Sequence, residues 1–407
     1  MPLEKTIDKF RYLEMKGIIG KLKKLLSFTD EPHFFQYSCS YSENPYDEES
    51  GGIAIGLNEN ETKIRAMGEC IERYSLQTIS NPLIIDSFNN LNSNALDPGD
   101  FINFREQEMK NRKSEYLQKL RNCRISWVEG KDLKSNTKVL IPAQLVYVPF
   151  HKKEPIIRSQ ISTGAAAHEN YEDAIIRGIF EGIERDAYML KYLSKESSPL
   201  MILKGRLQKL EDYFKRYYLE LKVFNITSDI KIPTFMCLNL DHTGEGPAVS
   251  VGLSSGFSSR EAILKSIIES QQVRQWIRYS YIQDKKPKIT HPSKIHSIKD
   301  RGYYWYPVER IKDLDFLHNG QYKKIPKREK VYSLKELIDY LNKKGIRSYV
   351  VDITPNEIRE AGFNVVKVIL PELHPLFLYE NFPHFYSKRL EDRLKGRELN
   401  LVPHPFM

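Results

Sequence analysis

The sequence predicts an α/β (α+β) fold, and three observations carry that expectation. Segments with helical spacing and segments with strand character interleave along the whole chain. The stretch 333–370 alternates helix, strand, helix, strand as an α/β unit does. Three glycine-bearing segments, each running into an amphipathic helix, repeat one constant spacing. At 407 residues the chain exceeds one ordinary core, which suggests one large domain or two to three fused units.

Taken in order, residues 1–30 place apolar positions at helical spacing among lysines, and Phe34–Tyr41 reads as a strand. Phe101–Leu120, rich in Glu, Lys and Arg, predicts a surface helix, and a strand begins at Arg124–Val128. Val139–Val148 is a strand broken by Pro142. Leu203–Leu221 predicts a helix, followed by strands at 221–227, 232–240 and 247–253. Lys285–Lys299, with two prolines and five lysines, predicts a linker. Beyond it come helix Ser333–Lys344, strand Arg347–Ile353, helix Asn356–Ala361 and strand Val365–Leu370.

Composition narrows the class. Hydrophobic residues make up 41% and charged residues 28%, and 62 Lys+Arg against 53 Asp+Glu give +9, so neither disorder nor a membrane span is favoured. The longest apolar runs are too short to cross a bilayer. The start Met1-Pro2-Leu3-Glu4-Lys5 lacks a secretory layout, so a cytoplasmic location is expected. Cys39, Cys70, Cys123 and Cys237 are widely spaced without a Cys-x-x-Cys pair; they read as ordinary buried thiols, neither a zinc site nor a disulfide framework. The modest positive excess comes with no nucleic-acid motif, and no nucleic-acid partner is expected.

The repeat carries the chemistry. Gly52, Gly164 and Gly252 precede Glu69, Glu181 and Glu269 by 17 residues each. Eight residues before each glutamate stands an acid (Glu61, Asp173, Glu261), and four before it a base (Arg65, Arg177, Lys265). Each copy reads as a small-residue loop entering a helix, acid first and base later, which suits the helix dipole. The far ends read Glu69-Cys70-Ile71-Glu72-Arg73, Glu181-Gly182-Ile183-Glu184-Arg185 and Glu269-Ser270-Gln271-Gln272-Val273-Arg274. Positions i and i+3 share a helix face, so each helix presents a pair of oxygen ligands beside an arginine. Three converging helices would gather Glu69, Glu72, Glu181, Glu184, Glu269 and Gln272. So many carboxylates need cations to neutralise them. Hard oxygen donors without sulfur or clustered histidine suit Mg²⁺ held together with nucleotide phosphates. Arg73, Arg185 and Arg274 are then phosphate clamps, and the glycine loops offer N–H groups to the same anion.

Competing motifs are weaker. No P-loop occurs. Gly252-Leu253-Ser254-Ser255-Gly256 spells Gly-x-Ser-x-Gly, but Ser258-Ser259-Arg260 intervenes before the next helix in place of a sharp elbow, so Ser254 is not read as a nucleophile. His168 reads as a turn residue.

These residues resemble the YcaO family of ATP-using, peptide-modifying enzymes. The likeness runs from about Ser50 to the C-terminus and rests on Ser50-Gly51-Gly52 with Glu69–Tyr74, Ser162-Thr163-Gly164 with Glu181–Ala187, and Glu261-Ala262 with Glu269–Arg274. Val351–Pro355, Gly362, Val368–Leu376 and the ending Pro403-His404-Pro405-Phe406-Met407 resemble its azoline-forming cyclodehydratase branch. The resemblance implies a YcaO-type ATP-binding fold with three loop-helix repeats around one nucleotide site. It implies an N-terminal extension at 1–45, a catalytic core at 46–330 and a C-terminal α/β part at 331–407.

It further implies ATP and Mg²⁺ as cofactors, with Glu69, Glu72, Glu181, Glu184 and Glu269 on the metal. Ser50, Gly52, Arg73, Ser162, Gly164, Arg185, Gln272 and Arg274 would contact the nucleotide, and Glu184, Arg185 and Pro405 are the catalytic assignments. The branch commonly ends Pro-x-Pro-x-Pro near the active site, whereas Met407 takes the last proline position here. The expected activity is phosphorylation of backbone amides in a ribosomally made precursor peptide, giving thiazoline and oxazoline rings from Cys, Ser and Thr. Expected partners are that peptide, an E1-like or leader-binding protein, a flavin-dependent azoline dehydrogenase and a second copy in a homodimer. Two alternatives stay open: a YcaO-type enzyme using an external nucleophile to make thioamides or amidines, and a non-catalytic nucleotide-binding accessory factor.

Overall fold

The computed structural model describes residues 2–41, 51–91, 94–105, 112–285, 287–326 and 329–407. They fold as two compact units. Unit 1 comprises Met1–Leu26, Phe35–Gly182 and Tyr332–Leu373; unit 2 comprises Ser27–Phe34, Ile183–Val331 and His374–Met407. Both units are discontinuous in sequence, because strands distant in the chain complete the same sheet.

Unit 1 opens with helix α1 (Pro2–Met15) and an antiparallel sheet of β1 (Lys23–Lys24), β2 (Phe35–Ser40) and β3 (Gly51–Gly56). Helix α2 (Glu59–Gln77) packs on it, with Tyr37, Ala54 and Ala66 in the core between them. Next come β4 (Leu83–Asp86), α3 (Phe88–Leu91), α4 (Lys113–Asn122), β5 (Ile125–Asp132), β6 (Lys138–Pro142) and β7 (Ala165–His168). The later stretch adds α9 (Leu334–Lys343), β13 (Tyr349–Asp352), α10 (Asn356–Glu360) and β14 (Asn364–Ile369). They form a sheet ordered β4-β5-β13-β14-β7, with β6 paired to β5. The first half of helix α5 (Tyr171–Leu193) belongs here, since the unit boundary falls after Gly182. The surface helix expected over 101–120 is displaced: Phe101 is buried in a 3-10 turn, 106–111 lie outside the described residues, and α4 starts at Lys113.

Unit 2 holds the second half of α5, then β8 (Leu200–Ile202), α6 (Arg206–Lys215), β9 (Leu219–Asn225), β10 (Thr234–Asp241), β11 (Val249–Ser255), α7 (Ser259–Gln283), α8 (Ile298–Tyr304), β12 (Tyr322–Lys324) and α11 (Lys388–Leu394). The sheet order is β11-β10-β9-β8-β12, with β12 parallel to β8. Tyr188, Tyr192, Val251, Trp305 and Phe406 share its core. The expected linker instead contains a 3-10 turn at Pro292–Lys294 and a buried Ile295. Cys39, Cys70 and Cys237 are buried free thiols; Cys123, capping α4, is only half-buried. Among the described residues no helix is long and apolar enough to cross a membrane.

Candidate active site

The 17-residue spacing records a hydrogen bond. The Ile53 N–H donates to Glu69 Oε2 at 3.0 Å and the Gly164 N–H to Glu181 Oε2 at 3.1 Å, while the Leu253 N–H donates to Glu269 Oε2. Each glutamate thus ties its helix to the segment before it. The early acids sit three residues after helix caps: Asn58, Asn170 and Ser258 accept from the N–H groups of Glu61, Asp173 and Glu261.

Two glycines differ from the expectation of open loops. Gly52 lies within β3 and Gly252 within β11. A Cβ on Gly52 would stand 2.2 Å from the Ala66 carbonyl oxygen, and one on Gly252 2.0 Å from that of Ser266, so glycine is required for strand and helix to touch. Gly52 thus packs its strand directly on α2. Gly164 does occupy a turn, with φ +90°. Ser50 lies outside the described residues.

In unit 1, Glu69 also accepts from Arg73, through Nε at 3.1 Å and Nη2 at 2.8 Å. Arg73 is thus engaged with its own helix, as i,i+4 geometry dictates. Removal from water, then the negative charges of Glu181 and Glu69, push the Glu72 carboxyl well above its ordinary range. Lys367, buried in β14, donates to the carbonyls of Ile161 at 2.7 Å and Thr163 at 2.8 Å; burial brings its ammonium down to about 7. Sequence reading missed Lys367, although a lysine inside the apolar run Val365–Leu370 was a visible signal. Ser162 is partly exposed, and its carbonyl accepts from Ala165 at 2.9 Å. His168 ends β7, its Nδ1 accepting from the Asn170 N–H at 3.0 Å.

In unit 2, Glu184 is buried; one carboxylate oxygen accepts from the Ser255 N–H at 2.8 Å and the other from Arg185 Nη1 at 2.7 Å. The Arg185 guanidinium lies 4.2 Å from the centre of the Phe406 ring. Gln272 stands half-buried on α7 one turn after Glu269. Arg274 is no phosphate clamp. It is 2% exposed, with Nε bonded to Glu31 at 2.9 Å, Nη1 to the Pro247 carbonyl at 3.0 Å and Nη2 to Asp241 at 2.8 Å. Ser254 is buried within β11, where no strained strand-to-helix elbow presents its hydroxyl.

The tail is anchored in unit 2. The Pro403 carbonyl accepts from Tyr192 at 3.2 Å and from the Trp305 indole at 3.0 Å, and the His404 carbonyl accepts from Arg301 at 2.9 Å. Pro405 is buried in this seat.

Among the described residues no three His, Cys, Asp or Glu side chains form a preformed metal cage. Glu69, Glu181, Glu184 and Glu269 each engage a backbone N–H. The donor set still fits Mg²⁺, which binds through few carboxylates together with phosphates, and the crowded Glu72 is the carboxylate a divalent cation would relieve.

Oxygen donors on helices beside glycine-bearing strands, with no P-loop, are the apparatus of a Mg-nucleotide enzyme. The chain belongs to the YcaO family: the family model described as YcaO cyclodehydratase, ATP- and Mg²⁺-binding, matches residues 54–374. It is accordingly an ATP- and Mg²⁺-binding protein of an ATP-dependent enzyme family. Its fold is similar to a heterocyclase in complex with substrate and cofactor, with TM-score 0.80 and 21% identity over 99% of this chain and 57% of that one. It is similar also to YcaO from Methanopyrus kandleri bound with AMPPCP and Mg²⁺, with TM-score 0.66, 16% identity and coverage of 98% and 95%. A third likeness is to a chain of the E. coli microcin synthetase McbBCD complex, with TM-score 0.68, 16% identity and coverage of 94% and 96%. At these identities the likeness establishes the fold. The chain spans little more than half the length of the heterocyclase chain.

Proposed function

We propose that this chain is a cytoplasmic, ATP-dependent cyclodehydratase that forms thiazoline and oxazoline rings in a ribosomally made precursor peptide. The observation that carries the reading is the buried Glu184, divided between the Ser255 N–H and an Arg185 guanidinium seated on Phe406 of the tail. A carboxylate so oriented, with its arginine braced by an anchored chain end, is a preorganised charge site. The similarity to a heterocyclase over 99% of the chain supports the same reading.

In the proposed reaction a Cys, Ser or Thr side chain of the peptide adds through sulfur or oxygen to the carbon of the preceding amide and loses its proton. The resulting oxygen attacks the γ-phosphorus of ATP, and ADP departs. Inorganic phosphate then leaves as the amide nitrogen gives up its proton and the ring C=N forms. Bound Mg²⁺ would supply neutralisation of charge on the phosphates. Glu69, Glu72, Glu181, Glu184 and Glu269, with Gln272, would orient the metal. Ser162, Gly164, Arg73 and Arg185 would position phosphates, the two arginines by exchanging carboxylate for phosphate. The nucleophile belongs to the substrate, so no catalytic Ser or Cys is required of this chain.

An E1-like or leader-binding protein would deliver the peptide, and a flavin-dependent dehydrogenase would act on its product. In a reconstituted mixture, Glu184→Gln should abolish ATP turnover and ring formation while leaving the protein folded, as judged by circular dichroism. Undiminished turnover in that variant would remove the assignment. A second reading keeps the ATP chemistry but supplies an external nucleophile, giving a thioamide or an amidine. Mass spectrometry separates the two. Ring closure removes one water per site, whereas exchange of oxygen for sulfur adds mass.

A further inference from the structure

The turn Ile161–Gly164 is held from below by three groups. Glu181 accepts the Gly164 N–H, the Val368 N–H donates to the Gly164 carbonyl at 2.7 Å, and the Lys367 ammonium takes the carbonyls of Ile161 and Thr163. Drawing three carbonyls toward β14 fixes the shape of the turn that carries Ser162. A buried lysine held by carbonyls, with no carboxylate bonded to it among the described residues, is an expensive way to brace a loop unless its charge also has a use.

Arg158, four residues before Ser162, points the same way. Its guanidinium lies over the Phe101 ring at 5.5 Å, and among the described residues it makes no ion pair or side-chain hydrogen bond. Burial pulls it down to about 10, and its charge in turn disfavours that of Lys367. Arg73, Arg185 and Arg274 are each paired with a carboxylate, whereas among the described residues the planar fork of Arg158 is uncommitted and lies over an aromatic ring. Two neighbouring cations at a turn whose carbonyls are already taken make a seat for an anion with several oxygens. The nearby Glu72 and Glu181, both of which act electrostatically on Lys367, leave room for that anion only if it brings a cation. A metal-bound polyphosphate meets both conditions.

We propose that Arg158 is a phosphate-contacting residue of the nucleotide site and that Lys367 is the positioning residue that shapes the turn Ser162–Gly164 beside it. This rests on the ATP reading above and adds two residues to it. The test is calorimetric titration of the full chain with AMPPCP and Mg²⁺, with melting temperatures measured alongside. Arg158→Met is expected to weaken AMPPCP at least about tenfold at an unchanged melting temperature. Arg158→Lys, which keeps the charge but not the fork, should fall between that variant and the wild type. Lys367→Met should raise the KM for ATP with kcat nearly held, and Lys367→Arg should recover part of the loss. Wild-type protein that fails to bind AMPPCP with Mg²⁺ would sink the nucleotide reading itself. Wild-type binding matched by Arg158→Met would overturn the Arg158 assignment alone. A Lys367→Met protein that loses only stability, at unchanged KM, would overturn the positioning role.

Discussion

The β3–α2 pair of unit 1 and the β11–α7 pair of unit 2 are two versions of one device. Gly52 lies opposite Cys39 and Gly252 opposite Cys237 in their antiparallel registers. The next residue donates its N–H to Glu69 in one and Glu269 in the other. The residue after each glutamate contacts the paired cysteine: a hydrogen bond to Cys39, then burial, raises the Cys70 thiol, and Ser270 Oγ donates to Cys237 Sγ at 3.7 Å. The arginines then part company. Arg73 follows its glutamate by four residues and bonds to it, but Arg274 follows by five, which rotates it about 100° around the helix. It consequently enters a buried network with Glu31 and Asp241. One residue of offset turns a partly exposed arginine into a structural one.

That contrast can be broken most forcefully at Arg274. Arg274→Met leaves Glu31 and Asp241 buried without their partner and should cost on the order of 3–5 kcal/mol in urea unfolding. Arg73→Met, at a partly exposed pair, should cost under about 1 kcal/mol. Equal losses would erase the distinction. Next in size, Gly52→Ala and Gly252→Ala should each cost about 1–3 kcal/mol, because the new methyl meets helix backbone. Gly68, inside α2 with nothing within 4 Å of an added Cβ, should respond the other way, Gly68→Ala gaining about 1 kcal/mol. Gains at all three glycines would show that strand and helix are not in contact.

The smallest effect is read as a direction. The Glu72 carboxyl sits above its unfolded value, so its contribution to stability is present in acid and is lost as pH rises through the folded-state value. Glu72→Gln should therefore flatten that decline in metal-free protein, measured by melting temperature against pH. An unchanged profile would remove the crowding argument.

The helix ends, the helix caps and the glycine-to-glutamate interval were legible because each is a local rule of spacing. The strand placement of Gly52 and Gly252 was not: a glycine that permits close approach and one that permits a turn look alike in sequence. Unit boundaries were hidden because β13 and β14 complete a sheet begun over two hundred residues earlier. The role of Arg274 was lost by treating +4 and +5 as equivalent, though the helical period distinguishes them. The partners of Lys367 are carbonyls in a turn some two hundred residues away, which no local pattern announces.

Affinity for AMPPCP, measured with and without Mg²⁺ on wild type, Glu72→Gln and Glu184→Gln, tests the carboxylate account most directly. The account predicts tight binding only when the metal is present and a loss of at least about tenfold in each variant. Binding that is indifferent to Mg²⁺, or undiminished in both variants, would contradict it.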